Sequence, residues 1–124
     1  MPKKILLVDD EPEIVKVTAF RLRKAGYEVT TLSSGQEALE YLGRPENKPD
    51  LILLDVFMPG LDGYQTCKTI KDNPDLRQIP VVFFTASSGQ SRLEQQIKEL
   101  GATDYVIKPF ELEDLLDKIS RYIK

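Results

Sequence analysis

A chain of 124 residues suits one domain and is long enough to bury roughly two thirds of its unfolded surface without disulfide or metal staples. Its 41% hydrophobic and 30% charged residues are the balance of an ordinary globule, and a net charge of -3 with no Lys/Arg-rich run argues against a nucleic-acid-binding surface. The absence of histidine excludes a histidine kinase, a His-based hydrolase and a His-ligated zinc site, while the lone Cys67 excludes an internal disulfide and fits a reducing cytoplasm.

In chain order, Ile5-Leu6-Leu7-Val8 is an apolar strand that stops at Asp9-Asp10, too soon for a signal peptide. Residues 12 to 25 follow as a helix, with Ile14, Val17, Leu22 and Ala25 near helical spacing, Pro12 at its start and Gly26 at its stop. Tyr27 to Thr31 reads as a second strand, Gln36 to Leu42 as a short helix ending at Gly43, and Arg44 to Lys48 as an exposed loop. Leu51-Ile52-Leu53-Leu54 is a continuous apolar strand ending in Asp55, and Asp62 to Lys71 is helical. Val81-Val82-Phe83-Phe84 is a further apolar strand, ending at Thr85. Leu93, Ile97 and Leu100 form one helical stripe closed by Gly101, and Asp104 to Ile107 is a short strand ending at Lys108. Leu112, Leu115, Leu116, Ile119 and Tyr122 recur at helical spacing in the last helix. No apolar run approaches the ~18 residues that would span a membrane.

Five strands alternating with five helices predict an α/β domain with a doubly wound parallel sheet, covered on both faces. Uninterrupted hydrophobicity in three strands agrees, since both faces of such a strand are buried. Right-handed crossovers leave few topologies, and the strand order 2-1-3-4-5 is the commonest for this pattern.

Sites in such sheets form beyond the carboxyl ends of the strands, where the strand order reverses. That rule gathers Asp9, Asp10, Asp55, Thr85 and Lys108 on one rim. Two carboxylates ~5 Å apart repel by about 3 kcal/mol at an effective dielectric near 20, so three need a cation among them. Lys108 supplies one positive charge. A set of oxygen donors without His or Cys suits Mg²⁺ for the rest. The same parts serve phosphoryl transfer: a carboxylate nucleophile, with cations and a hydroxyl to meet the phosphoryl oxygens. Asp55, single and at a strand end, is the candidate nucleophile, with Asp10 and Asp9 on the metal. Taken singly, each residue has a plainer reading. Asp9 or Asp10 could cap the following helix, Asp55 could start a turn, Thr85 could favour a strand, and Lys108 could be a solvated charge. Cys67 reads as packing, and Gly26, Gly43 and Gly101 as helix stops.

Val8-Asp9-Asp10, Leu54-Asp55-Val56-Phe57-Met58-Pro59-Gly60 with Asp62-Gly63, Thr85-Ala86, and Tyr105 through Lys108-Pro109-Phe110 stand in the order and spacing of one family. From Lys4 to Lys124 the chain resembles bacterial two-component response-regulator receiver domains of the chemotaxis-regulator type. The resemblance implies a flavodoxin-like fold and one receiver domain over residues 1–124, a signalling switch that catalyses only its own phosphorylation and dephosphorylation. It implies Asp55 as acceptor of a phosphoryl group from a sensor histidine kinase or phosphotransfer protein. It also implies Asp10, Asp55 and the Phe57 backbone carbonyl on Mg²⁺ (Mn²⁺ as a substitute), with Asp9 acting through water. Thr85 and Tyr105 resemble the switch pair, Lys108-Pro109 a cis peptide that aims the ammonium, and the small Ala86 leaves the acceptor accessible.

Phe57 and Ser87 occupy the two positions that tune phosphate lifetime in the family, and Phe57 cannot orient an attacking water, so slow hydrolysis is expected. The family further implies kinase docking on the first helix and near Pro109-Phe110, and Val15 and Phe20, read as exposed, are the expected contact points. Output through the face of the fourth helix, fifth strand and fifth helix would reach a downstream protein or effector domain, sometimes through a phosphorylation-dependent homodimer. The expected location is cytoplasmic, with no direct contact to nucleic acid or membrane.

Two competing enzymes and a flavin carrier fit less well. A haloacid-dehalogenase-type phosphatase needs a second Asp at position 57, which is Phe. A P-loop hydrolase needs a Gly-rich Lys loop, and a flavodoxin-type carrier a Ser/Thr-rich loop after the first strand. Two readings stay within the family: a receiver excised from a larger regulator or hybrid kinase, and a receiver that binds partners without phosphorylation.

Overall fold

The computed structural model describes residues 2–86, 90–108 and 110–123. The chain alternates β1 (Lys4–Val8), α1 (Pro12–Lys24), β2 (Glu28–Leu32), α2 (Gly35–Leu42), β3 (Leu51–Asp55), α3 (Gly63–Asp72), β4 (Val81–Ala86), α4 (Gln90–Leu100), β5 (Asp104–Lys108) and α5 (Leu112–Tyr122). All neighbouring strands are parallel, in the order β2-β1-β3-β4-β5, as the alternation of elements predicts.

The period-2 alternation of a strand divides each apolar run between two cores. Leu6, Val8, Ile52, Leu54, Val81 and Phe83 face one layer, with Ala38, Leu42, Cys67, Ile70 and Leu93 from α2, α3 and α4. Ile5, Leu7, Leu51, Leu53, Val82 and Phe84 face the other, with Ala19 and Leu22 of α1 and Leu115 and Ile119 of α5. All five residues of β3 are buried, because it lies in the middle of the sheet. Cys67 is a buried free thiol, and burial pushes its pKa up to about 11, so it packs as an apolar residue.

Several boundaries move by one residue: β1 starts at Lys4, α1 ends at Lys24, β2 runs one position later than Tyr27–Thr31, α2 begins at Gly35, and Asp62 caps α3, which runs one position later than expected. Asp62 accepts from the Gln65 N–H at 2.9 Å while the Gln65 side chain accepts from the Asp62 N–H, a complete capping box. The larger correction concerns α1. Its buried stripe is Thr18, Ala19 and Leu22, whereas Val17 and Ala25, expected to face inward, are exposed. Val15, expected as an exposed contact point, is half-buried against the second core, and Val17 stands beside exposed Phe20 instead. The small Thr18 and Ala19 let α1 sit close to the sheet, a packing reason that an apolar-spacing count misses. Among the described residues no helix is long and apolar enough to cross a membrane.

The turn between β3 and α3 is pinned by glycine. A Cβ on Gly63 would lie 2.1 Å from the Asp55 carbonyl oxygen and 2.7 Å from the Val56 Cα, both backbone atoms that cannot step aside. Gly60 adopts φ +77°, in the left-handed region. Gly63→Ala is therefore expected to cost about 3 kcal/mol in urea unfolding. Gly43→Ala, at a helix end with φ -68°, should be neutral or stabilise by up to about 1 kcal/mol.

Candidate functional site

The strand order reverses between β1 and β3, which opens a crevice at their carboxyl ends. The register aligns what the strands deliver there. Val8 pairs with Leu54 just before Asp9 and Asp55, Asp55 lies beside Phe84, and Thr85 and Ala86 lie beside Ile107 and Lys108. The apolar runs of β1, β3 and β4 thus end in Asp9, Asp55 and Thr85 on one rim, and the mixed strand β5 adds Lys108.

Asp9, Asp55 and Thr85 are almost wholly buried, at 1%, 3% and 2% exposure. The Lys108 ammonium reaches over the Phe84 ring, 4.5 Å from its centroid. It lies 3.0 Å from Asp9 Oδ2, 3.1 Å from Glu11 Oε1 and 3.8 Å from Asp55 Oδ2. Carboxylate oxygens of Asp9, Glu11 and Asp55 fall within 4.8 Å of one another. The other Asp9 oxygen accepts from the Glu11 backbone N–H at 3.0 Å.

Three carboxylates around one ammonium leave excess negative charge, and Asp55 carries the consequence. Burial first, and then the charge of Asp9 and a hydrogen bond to it, push the Asp55 carboxyl up to about 7. Lys108 and the Phe57 backbone N–H oppose the shift without cancelling it. Burial disfavours the Lys108 charge, yet Asp9, Asp55 and Glu11 hold its ammonium above the usual lysine range. Thr85 adds a different signal: its Oγ1 is buried and has no hydrogen-bond partner among the described residues. A buried hydroxyl without a partner costs about 1–3 kcal/mol, so a donor or acceptor brought to Thr85 would be favoured by that amount.

Asp10 is half-buried and borders a neighbouring cleft with Asp9, Pro12, Thr31, Ser33 and Glu37, outside the three-carboxylate group. Phe57 is 57% exposed at the mouth of the crevice. Tyr105, two residues before Lys108, is half-buried and donates its hydroxyl hydrogen bond to Glu94 Oε1 of α4 at 2.9 Å. The Lys118 ammonium of α5 lies 5.0 Å from the centroid of the Tyr105 ring, donates to the Tyr105 carbonyl and pairs with Asp104 at 3.3 Å. Ser87 and Pro109 lie outside the described residues, and with Pro109 the expected cis bond. Glu11 is the site residue that sequence reasoning missed. The available signal was its place directly after Asp9-Asp10 at the N-cap of α1, where Glu is a poor cap and makes no side-chain capping bond.

Residues 5–120 match the family model for the response regulator receiver domain. The response regulator PleD of Caulobacter vibrioides is 42% identical over 111 residues, covering 90% of this chain and 24% of PleD, so the chain spans about a quarter of that relative's length. The chemotaxis response regulator CheY4 of Vibrio cholerae superposes with a TM-score of 0.89 at 32% identity, covering 98% of this chain and 99% of that one. The receiver domain of sensor histidine kinase PA1611 from Pseudomonas aeruginosa PAO1, solved with a magnesium ion in its active-site cleft, gives 0.88 at 32% identity, covering 99% and 98%. This chain belongs to the response regulator receiver domain family of two-component systems, which are signalling switches.

An acid whose folded pKa exceeds its unfolded one loses stability as pH rises between the two, here from the ordinary 3.8 to about 7. In chelator-treated buffer Asp55→Asn should therefore be more stable than wild type at pH 8, by about 1–3 kcal/mol in urea unfolding. The loss of attraction to Lys108 keeps the gain below the full linkage, and the gain should vanish as pH falls toward 4.

Proposed function

We propose that Asp55 is the phospho-acceptor of a Mg²⁺-dependent switch charged by a sensor histidine kinase or a phosphotransfer protein. The observation that carries this reading is the buried Asp55 carboxyl, pushed up to about 7 between Asp9 and Lys108 at the crevice where the strand order reverses. An ordinary turn aspartate has no reason to be held in such an environment.

The donor set is all oxygen and short of positive charge, which fits a hard divalent cation, Mg²⁺ or its substitute Mn²⁺. On this reading Asp10, Asp55 and the Phe57 carbonyl hold the ion directly and Asp9 through water. The magnesium in the cleft of the PA1611 receiver domain supports the choice of ion. When bound, the ion supplies positive charge to the carboxylates and to the phosphoryl oxygens. In the transfer, an Asp55 oxygen forms a bond to phosphorus as the bond between phosphorus and the donor imidazole nitrogen breaks, and the imidazole keeps that electron pair. Lys108 then donates to one phosphoryl oxygen and the Thr85 hydroxyl to another. Catalysis is confined to the domain's own phosphorylation and dephosphorylation.

Docking of the kinase on α1 is supported by exposed Val17 and Phe20, and by a groove of about 480 Å³ between α1 and α5 that includes Ile14, Phe110 and Leu112 and reaches Lys108. For output, the inward turn of Tyr105 after Thr85 moves would require release from Glu94 and alter the α4-β5-α5 face. That face would contact a downstream protein, an effector domain or a second copy of the chain. A cytoplasmic location, with residues 1–124 as one receiver domain, completes the reading.

Incubation with acetyl phosphate and Mg²⁺ should add one phosphoryl group by intact mass. Chelation of the metal or Asp55→Asn should abolish it, and a wild type that stays unmodified would remove the proposal. Phe57→Asn should speed loss of the phosphoryl group about 3- to 10-fold by orienting water, as the worth of one hydrogen bond implies; equal decay after removal of the donor would count against the lifetime role of Phe57.

A further inference from the structure

Glu11 has no part in the reaction just described, yet its carboxylate is one of the two nearest anions to the Lys108 ammonium, at 3.1 Å against 3.0 Å for Asp9 and 3.8 Å for Asp55. We propose that Glu11 is a positioning residue that competes for Lys108 in the unphosphorylated domain and releases it when Asp55 is charged. The inference rests on the reading of Asp55 as acceptor and adds to it a determinant of how fast that acceptor is loaded.

The three anions around Lys108 are not equivalent. The Asp9 side chain is wholly buried and its second oxygen is held by the Glu11 N–H, so Asp9 is the fixed anchor. Asp55 is the farthest of the three, on β3, two strands from the β5 that carries Lys108. Glu11 is 56% exposed, so water can solvate its carboxylate whenever the ammonium leaves, and it is the anchor most readily exchanged. A phosphoryl group on Asp55 adds anionic oxygens to a residue already 3.8 Å from the ammonium, and Glu11 is the partner Lys108 can give up to meet them.

The plain alternative is that Glu11 caps α1. Its side chain makes no capping bond: the carboxylate turns away from the helix N–H groups and onto Lys108. The backbone of Glu11 does accept from the Val15 N–H at 3.0 Å, a contact that survives any side-chain substitution. Removing the carboxylate therefore takes from the ammonium one of its two nearest partners, leaving Asp9, without unmaking the first turn, where Pro12 has no N–H to satisfy.

The test compares wild type with Glu11→Gln, which keeps the shape and removes the charge. With acetyl phosphate, at a Mg²⁺ concentration beyond which the rate no longer rises, Glu11→Gln should form the Asp55 acyl phosphate about two- to fivefold faster, the range set by a partly exposed ion pair. Loss of the acyl phosphate should change less than its formation. The gain should shrink in about 1 M salt, where the Debye length falls to ~3 Å. A second readout needs no phosphorylation: an amine-reactive reagent, followed by peptide mass, should label Lys108 more in Glu11→Gln than in wild type, with Lys118 as internal reference. A formation rate equal to or slower than wild type overturns the inference, as does a faster rate with unchanged Lys108 labelling, since the effect would then not pass through the ammonium. A wild type that takes no phosphoryl group overturns the reading of Asp55 and this inference together, whereas a wild type charged as fast as Glu11→Gln overturns the inference alone.

Discussion

Two buried carboxylates and one exposed one share a single ammonium at the end of a sheet that is otherwise apolar, and that imbalance organises the rest of the molecule. Asp9 and Asp55 are kept from water by the same close packing that buries Leu6, Leu7, Leu53 and Leu54. Their charges cannot be relieved by solvent or by a side-chain shift, because each hangs from a strand whose register is fixed on both sides. The available responses are to take up a proton, which is why the Asp55 carboxyl is pushed up to about 7, or to take up positive charge. A domain that meets its own electrostatics only part of the way is one whose state is readily set by what binds there.

The scaffold that holds this imbalance is correspondingly stiff. Gly63 packs so closely under the Asp55 carbonyl that the β3–α3 turn has little freedom, and the Gly63 N–H donates to the Val56 carbonyl at 2.8 Å. The capping box of Asp62 and Gln65 then fixes the start of α3. Met58 is buried while Phe57 faces solvent, so the turn is anchored on one side and leaves the crevice open on the other.

Much of this arrangement was legible in the sequence, for a physical reason. Three strands made only of apolar residues must be buried on both faces, so the first polar residue after each one must fall at the sheet edge; Asp9, Asp55 and Thr85 could be placed without coordinates. Less legible were features that depend on distance. Glu11 has no special spacing and becomes meaningful only once Lys108, 97 residues later, is seen 3.1 Å away. The inward face of α1 was misread because Thr18 and Ala19 are buried for their small size, and a count of large apolar residues selects Val17. That the Thr85 hydroxyl has no partner among the described residues is a property of its surroundings and has no counterpart in residue type.

The opposite face shows how a local charge change could be read at a distance. Asp104 draws together the Lys118 ammonium, the Tyr122 hydroxyl at 2.7 Å and the Tyr105 N–H at 2.8 Å. Burial alone would raise the Asp104 carboxyl, but these donors hold it below the usual range. β5 and α5 are thereby tied into one unit, and Tyr105 is attached to it by its backbone while its hydroxyl reaches Glu94 on α4. Among the described residues, Thr85 is thus a donor without a partner and Tyr105 a satisfied one. An orphan costs about 1–3 kcal/mol and an exposed neutral-to-charged hydrogen bond contributes a comparable amount. Two arrangements separated by so little can be interchanged by a ligand that contacts only one of them, because the shift equals its differential affinity and nothing more. On the proposed reading the phosphoryl group is that ligand: it satisfies Thr85 directly, and the energy released is of the size needed to give up the bond from Tyr105 to Glu94.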